Sequence, residues 1–483
     1  MNPLYQIHKA CLSFAVLALL GGQLAAGQMV LSQSAVEKTA EEYSAASNAR
    51  VGIVIIDLAS GATVAAVRPG EQFMPASNQK VLTSAFAMSR LGENFNFTTS
   101  VHLVGSDIHV VGSGDPAFGD PTVAASVGAS IYDEFDRWTQ DIRREMGTRI
   151  DGDIVVHSTF TRDQAQPLES FRHPDWPKNQ HHNWFVAPVT GLNYHNNCFD
   201  VIFVSRAGTI APVVTPASRF ISIQNRTSAG SKHVWSLRSN ADDSVLTVQG
   251  TVRSASNSPL SVAADHPPLM AGRVLAERLV LGGVDFRGKV RYATQALPAE
   301  SKCLSTSNGP LSVALAVANK RSINMAAESM FLRAGDGTWA GSARIMKQVL
   351  VKDWSIDPAD IEICDGSGLS RRNRITPRAM AGVLDRFTRR DDYLAFAHSL
   401  AVSGVDGTLS DRLTGAFRAK VVAKTGYILG VSCLSGYALD WENRPRYAFC
   451  ILANNVPGGQ AWRTKNMQDE LCRMMVAAAA VRK

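Results

Sequence analysis

Residues 93 to about 264 read differently from the chain on either side, and that break constrains the fold more than any other feature. The stretch is rich in short strand-like runs divided by Gly, Asp and Asn turns, among them His109–Gly112, Asp153–His157, Cys198–Val204 and Ser244–Val252. Before it, Arg50–Leu58 (RVGIVIIDL) is β-branched, and Thr63–Val67 follows and breaks at Pro69-Gly70; the pair predicts a β-hairpin. Pro75-Ala-Ser-Asn-Gln-Lys80 then leads into Val81-Leu82 and Ala85-Phe86 and stops at Gly92. That i, i+1, i+4, i+5 spacing predicts a helix beginning near Ser77. After the break, helical periodicity returns at Pro268–Leu281, Pro310–Asn319 and Ile323–Arg333. Strand-like runs follow at Cys433–Leu439 and Arg446–Leu452, and a helix from about Thr464 to Val481 closes the chain. The pattern predicts a discontinuous α+β domain built from both ends and interrupted by a largely β insertion, with no internal repeat.

The composition agrees. With 483 residues, 45% apolar and 19% charged, the chain is long enough for two to four domains and is neither disordered nor disulfide-knitted. The net charge of +7 is spread without a Lys/Arg run, which argues against a nucleic-acid partner. At the front, a short n-region ending in His8-Lys9 precedes an apolar run, Ala10–Leu20, and small residues at Ala25-Ala26-Gly27. That run is about half the ~20 residues a membrane span needs, so residues 1–27 are expected to be a leader cut near Gly27, and the protein exported.

Cys11 leaves with the leader. Cys198, Cys303, Cys364, Cys433, Cys450 and Cys472 remain without a C-x-x-C, so zinc ribbons are not expected. Small buried thiols are the expectation, with a Cys433–Cys450 bridge across a hairpin as the alternative. Eight of the eleven histidines lie between His102 and His233, but without H-E-x-x-H or comparable spacing. They are expected to be surface residues, with no metal and no cofactor. Leu471, Met474, Met475 and Ala478 form a stripe on the closing helix. It is expected to pack on the terminal strands, with peripheral membrane contact as the alternative.

Three short patterns occur once each, in one order: Ser77-Asn-Gln-Lys80, Ser322-Ile-Asn324 and Lys424-Thr-Gly426. K-T-G is expected about 0.1 times by chance in a chain of this length. On a helix, Ser77 and Lys80 lie one turn apart. A serine needs a base to become a nucleophile, and an amine is a base only when neutral. A lysine near 10.4 must fall by about three units, roughly 4 kcal/mol, and burial beside Lys424 pushes that way. The two amines are then expected to titrate apart, one a base and one a charged anchor. Lys424 and Thr425 sit where a strand-like run meets a turn, a place suited to an extended peptide and its terminal carboxylate. Gly426 is expected to leave room for the substrate backbone. The N–H groups of Ser77 and Tyr427 are candidates for the oxyanion hole.

The order S-x-x-K, S-x-N, K-T-G resembles the penicillin-binding proteins and serine β-lactamases. The 245 residues separating Ser77 from Ser322 resemble the low-molecular-mass D-alanyl-D-alanine carboxypeptidase/endopeptidase family, which carries two inserted domains there. Supporting stretches are Gly112-Ser-Gly-Asp-Pro116, Ala187-Pro188, Asn197-Cys-Phe199, Asp365-Gly-Ser-Gly-Leu-Ser370, Gly404-Val-Asp-Gly-Thr408 and Asn454-Asn455. The resemblance implies a catalytic domain over 28–92 and 265–483, with a five-stranded antiparallel sheet and helices. It implies inserted domains over 93–160 with 240–264, and over 161–239. It also implies a periplasmic or otherwise extracytoplasmic enzyme acting on peptidoglycan stem peptides and cross-links, with β-lactams as covalent inhibitors. Ser77 would be nucleophile, Lys80 its base, Lys424-Thr425 the carboxylate clamp, Ser322 a proton relay, and Asn324 a holder of substrate amide and Lys80.

Three positions depart from the family pattern. Ile323 replaces a common Asp or Ser and is expected to point away from the cleft. Tyr427 replaces a small hydroxyl residue. Gln180, in Trp176-Pro-Lys-Asn-Gln180, stands where the family's acid meets a side-chain ammonium, and Asp175 is the nearby acid able to substitute. Two other readings fit the motifs: a β-lactamase or esterase on the same scaffold, and a non-catalytic cell-wall-binding module. Asp365–Gly368 is expected to be a structural turn, with a place lining the cleft as the alternative.

Overall fold

A computed structural model describes residues 31–160, 171–206 and 209–481; the expected leader, with Cys11, lies outside them. The two ends of the chain meet in one antiparallel sheet, in the order Ala401–Val402, Val421–Ile428, Val431–Leu439, Pro445–Asn454, Arg50–Asp57, Thr63–Val67. Five strands are long and the sixth is a two-residue edge. Strand alternation divides their side chains between two cores. Ala448, Cys450 and Leu452 join Cys433 and Tyr437 on one face, and Tyr447, Phe449, Ile451 and Ala453 join Ile53 and Leu434 on the other. Helices Gln33–Ser47 and Ala461–Val481 cover the second face, while Gln79–Leu91 and Pro377–Phe387 lie over the first. Covered on both sides, Val431–Leu439 is buried along its whole length.

The closing helix uses its stripe on the sheet: Leu471, Met474 and Met475 are buried and Ala478 packs beside them. That leaves the stripe unavailable to a membrane surface. Among the described residues no helix is long and apolar enough to cross a membrane.

The inserted region is built from separate sheets. One has the strand order Val290–Tyr292, Ile154–Val156, Asp107–Gly112, Asn96–Val104, Lys302–Pro310 and shares a core with helices Asp133–Met146 and Pro267–Leu281. Two three-stranded sheets follow, one from Cys198–Arg206, Thr209–Thr215 and Ser256–Ala263, the other from Ser222–Ala229, Val234–Ser239 and Val245–Val252. The boundaries therefore differ from those expected. The chain returns to the first body near Pro310 rather than at 265, because Lys302–Pro310 pairs with Asn96–Val104. Residues 240–264 belong with 198–239, because Ser256–Ala263 pairs with Cys198–Arg206. Helical periodicity at 268–281 announced a helix but not the sheet it covers.

One further expectation changes. His102, His157, His173 and His195 are buried rather than exposed; His102 and His157 alternate with the core residues Val101 and Val156 and so lie on the other face of that sheet, where His157 meets His109 at 3.0 Å. Among the described residues no cluster suited to a metal occurs. Cys433 lies opposite Leu452 and Cys450 opposite Ser435, two residues out of register, and the six described cysteines are free thiols.

Candidate active site

Pro75 precedes a 3₁₀ turn, Ala76–Asn78, that runs directly into helix Gln79–Leu91. Ala76 has φ +46°, a left-handed conformation that costs a residue with a Cβ and needs its surroundings to hold it. Gly368 is part of that hold, since a Cβ there would fall 1.8 Å from the Ala76 carbonyl oxygen. Helix Gln79–Leu91 is buried almost all round, so Lys80 is fully buried while Ser77 stays partly open. Lys80 Nζ donates to Ser77 Oγ at 2.9 Å, Asn324 Oδ1 at 2.7 Å and the Ser367 carbonyl at 3.0 Å. An ammonium has three donors and all three are matched. A neutral amine needs only two and turns its lone pair toward the third partner. Burial pulls the Lys80 pKa down to about 7, against the opposing pull of Glu328 and Asp365.

Ser322 follows helix Leu311–Lys320 with φ +61°. Its neighbours clamp the loop from two sides: Arg321 Nη1 reaches both carboxylate oxygens of the buried Asp120 (2.7 and 2.6 Å), and Lys320 meets Asp406 at 2.5 Å. Asn324 opens helix Asn324–Ala334. It is pinned at both ends of its amide, accepting from Lys80 and donating from Nδ2 to the Phe185 carbonyl at 2.8 Å. Ile323 packs against the apolar core, as expected of a residue turned from the cleft.

Lys424, Thr425 and Gly426 lie on strand Val421–Ile428. Its outer edge pairs with Ala401–Val402 only at Ala423 and Val422, so from Lys424 onward that edge has no strand neighbour among the described residues. Lys424 Nζ donates to Ser322 Oγ at 2.9 Å and to the Thr425 carbonyl at 2.7 Å; the Thr425 and Thr408 hydroxyls meet at 2.7 Å. Burial pushes the Lys424 pKa well down and Lys80 pushes it the same way. Both amines are thus depressed, and only Lys80 is held up by acids. Gly426 serves the protein's own packing as well as any ligand. A Cβ there would come within 2.8 Å of the Pro75 carbonyl oxygen and 2.9 Å of Asn78 Oδ1. Tyr427 is exposed.

The structure thus forms two hydrogen-bonded groups, Ser77–Lys80–Asn324 and Ser322–Lys424, coupled by the charge interaction of the two lysines, with Thr425–Tyr427 along the strand edge. Sequence reasoning missed what stands behind them. The Asp365–Ser370 turn supplies the Ser367 carbonyl to Lys80. Asp365 organises that turn, accepting from Gly368 N at 2.8 Å, Ser370 N at 2.5 Å and Asn373 Nδ2 at 2.7 Å. From the inserted region, Trp176 Nε1 donates to Asp365 at 3.0 Å. The Gly-rich DGSGLS run marked a turn, but a side-chain motif carries no sign of a backbone carbonyl. Gln180 sits half-buried in a 3₁₀ turn, Lys178–Gln180. Asp175 is engaged elsewhere, accepting from Ser370 Oγ at 2.9 Å and Arg372 at 3.3 Å.

Residues 32–477 match the model of the D-Ala-D-Ala carboxypeptidase 3 (S13) family. The chain is 28% identical over 459 residues to a D-alanyl-D-alanine carboxypeptidase of an Actinomadura species, covering 86% of this chain and 80% of that one. It is 26% identical over 418 residues to the D-alanyl-D-alanine carboxypeptidase DacB of Haemophilus influenzae, covering 81% and 82%. The fold is similar to the crystal structure of penicillin binding protein 4 from Haemophilus influenzae, with a TM-score of 0.72 at 22% identity over 89% of this chain and 97% of that one. A second crystal structure of that protein, complexed with a β-lactam, gives a TM-score of 0.68.

Proposed function

Since this chain belongs to the S13 family of D-Ala-D-Ala carboxypeptidases, we propose that Ser77 is its nucleophile and Lys80 the base that activates it. The protein is a serine peptidase that hydrolyses D-alanyl-D-alanine-type bonds of peptidoglycan. The observation that supports the residue assignment is the triple contact of Lys80 Nζ with Ser77 Oγ, Asn324 Oδ1 and the Ser367 carbonyl, in a site where burial favours the neutral amine.

Lys424 and Thr425 bind the substrate's terminal carboxylate, and the extended peptide lies along the unpaired strand edge. Lys80 takes the Ser77 proton as Oγ bonds to the carbonyl carbon. The N–H groups of Ser77 and Tyr427 stabilise the oxyanion. As the C–N bond breaks, the proton held by Lys80 reaches the leaving amine by way of Ser322. Water then attacks the ester, gives its proton to Lys80, and Ser77 leaves reprotonated. A β-lactam offers the same carboxylate beside a strained amide and stops at the acyl-enzyme. The leader pattern at residues 1–27 supports export to the periplasm, where the substrate lies.

The test is labelling with a fluorescent penicillin, followed by peptide mapping. Label on Ser77, lost in Ser77→Ala, is expected; label that persists in that variant refutes the assignment.

A further inference from the structure

We propose that Glu328 is a positioning residue of the acylation step: through the Gly366–Ser367 turn it holds the carbonyl that aims Lys80 at Ser77. The proposal rests on the reading of Lys80 as base. Glu328 stands one helical turn beyond Asn324, at i+4 on helix Asn324–Ala334, so both side chains leave the same face. It is fully buried. Its two carboxylate oxygens accept one backbone N–H each, from Gly366 at 2.8 Å and from Ser367 at 2.7 Å. Those two peptide units are thereby fixed, and the Ser367 carbonyl points at Lys80 Nζ.

The turn has no freedom to find another position. Thr83 Oγ1 holds the Gly366 carbonyl at 2.6 Å. A Cβ on Gly366 would meet Phe331 Cβ at 2.6 Å, and one on Gly368 would meet the Ala76 carbonyl oxygen at 1.8 Å. The turn is wedged between helix Asn324–Ala334 and the residue before the nucleophile, and Glu328 is the clamp between them. A charged carboxylate at this depth is disfavoured, and a pair of N–H donors alone needs no charge. Glu328 also faces Lys80.

The ionisable groups around Lys80 come from four elements: Glu328 from its helix, Asp365 from the turn, Lys424 from the strand edge, and His173 of the inserted region behind Asp365. Of these, Glu328 and Asp365 raise the Lys80 pKa. Burial and Asp365 push Glu328 itself up to about 8, while its two N–H donors favour the ionised form.

The experiment measures β-lactam acylation rate against pH, and β-lactam affinity, for the full chain and for Glu328→Gln and Glu328→Asp. The wild-type profile comes first: without an acid limb near pH 7, the base reading fails whatever Glu328 does. With that limb present, Glu328→Gln is expected to keep it within half a unit of wild type, because a Glu328 held at about 8 is mostly protonated across the limb. Its limiting rate is expected to fall at least tenfold with affinity within threefold, since Lys424 and Thr425 are untouched. Glu328→Asp keeps the carboxyl group but cannot reach both N–H groups; its limb is expected within half a unit of wild type and its limiting rate at least threefold lower. A Glu328→Gln limiting rate within threefold of wild type overturns the proposal. If Glu328→Gln does not fold, a Glu328→Asp profile matching wild type in position and rate overturns it equally.

Discussion

Lys80 carries the most quantitative expectation. A lysine with the free value of 10.5 is neutral in about one molecule in 3,000 at pH 7, whereas one held at about 7 is neutral in about half. Burial therefore raises the fraction of competent base about 1,500-fold, within the range that a positioned general base contributes. The logarithm of the β-lactam acylation rate is expected to climb with unit slope below about pH 7 and flatten above about pH 8. Lys80→Met keeps a side chain of similar length without a lone pair that can take the proton, and is expected to lose about a thousandfold. The same displacement acts on stability. Because the folded-state pKa lies below the free value, the unfolded chain binds more protons on this side chain between about pH 7 and 10.5. Wild type therefore gains on Lys80→Met as pH rises through that window, by at most about 1.4 kcal/mol per pH unit. Paired thermal scans at pH 7 and 9 read the sign. A rate that is flat from pH 5, a rate still climbing past pH 9, or a Lys80→Met enzyme within tenfold of wild type would refute the reasoning.

Two other outcomes follow from the geometry. Gly426→Ala places a methyl 2.8 Å from the Pro75 carbonyl oxygen, so the turn carrying Ser77 must shift; acylation is expected to drop about a hundredfold and the melting temperature to fall, as about 1–3 kcal/mol of overpacking requires. With Asp175 held by Ser370 and Arg372, Gln180 offers at most a neutral hydrogen bond to a substrate ammonium. Wild type is then expected to prefer a free over an acetylated side-chain amine by less than about thirtyfold in kcat/KM, and Gln180→Asp to raise that preference.

What was legible in the sequence was whatever is local. The hairpin at 50–67, the helix after Ser77 and the helices at 267–281, 311–320 and 324–334 each announce themselves within a few turns of chain. Lys80 also reaches Ser77 within one helical turn, so S-x-x-K reports a real contact. The contact between Lys424 and Ser322 spans 102 residues, and there the sequence offered only a resemblance. Strand partnership is non-local in the same sense: nothing near residue 302 shows that it will pair with Leu103, which is why the return to the first body was placed too early.

The inserted region shows why a motif understates an active site. Motifs name side chains that meet substrate, yet those side chains are fixed by groups drawn from the region between Ser77 and Ser322. Phe185 offers only a carbonyl to Asn324, Trp176 an indole N–H to Asp365, and Asp120 a carboxylate to the arginine beside Ser322. Each such contact is built from a residue whose type is ordinary and whose value lies in where the fold puts it. The insertion is therefore part of the catalytic frame as well as an addition to it. On the proposed assignment, a displacement of about 1 Å between Lys80 and Ser77 costs on the order of a hundredfold, so acylation is tied to whether those distant sheets are packed.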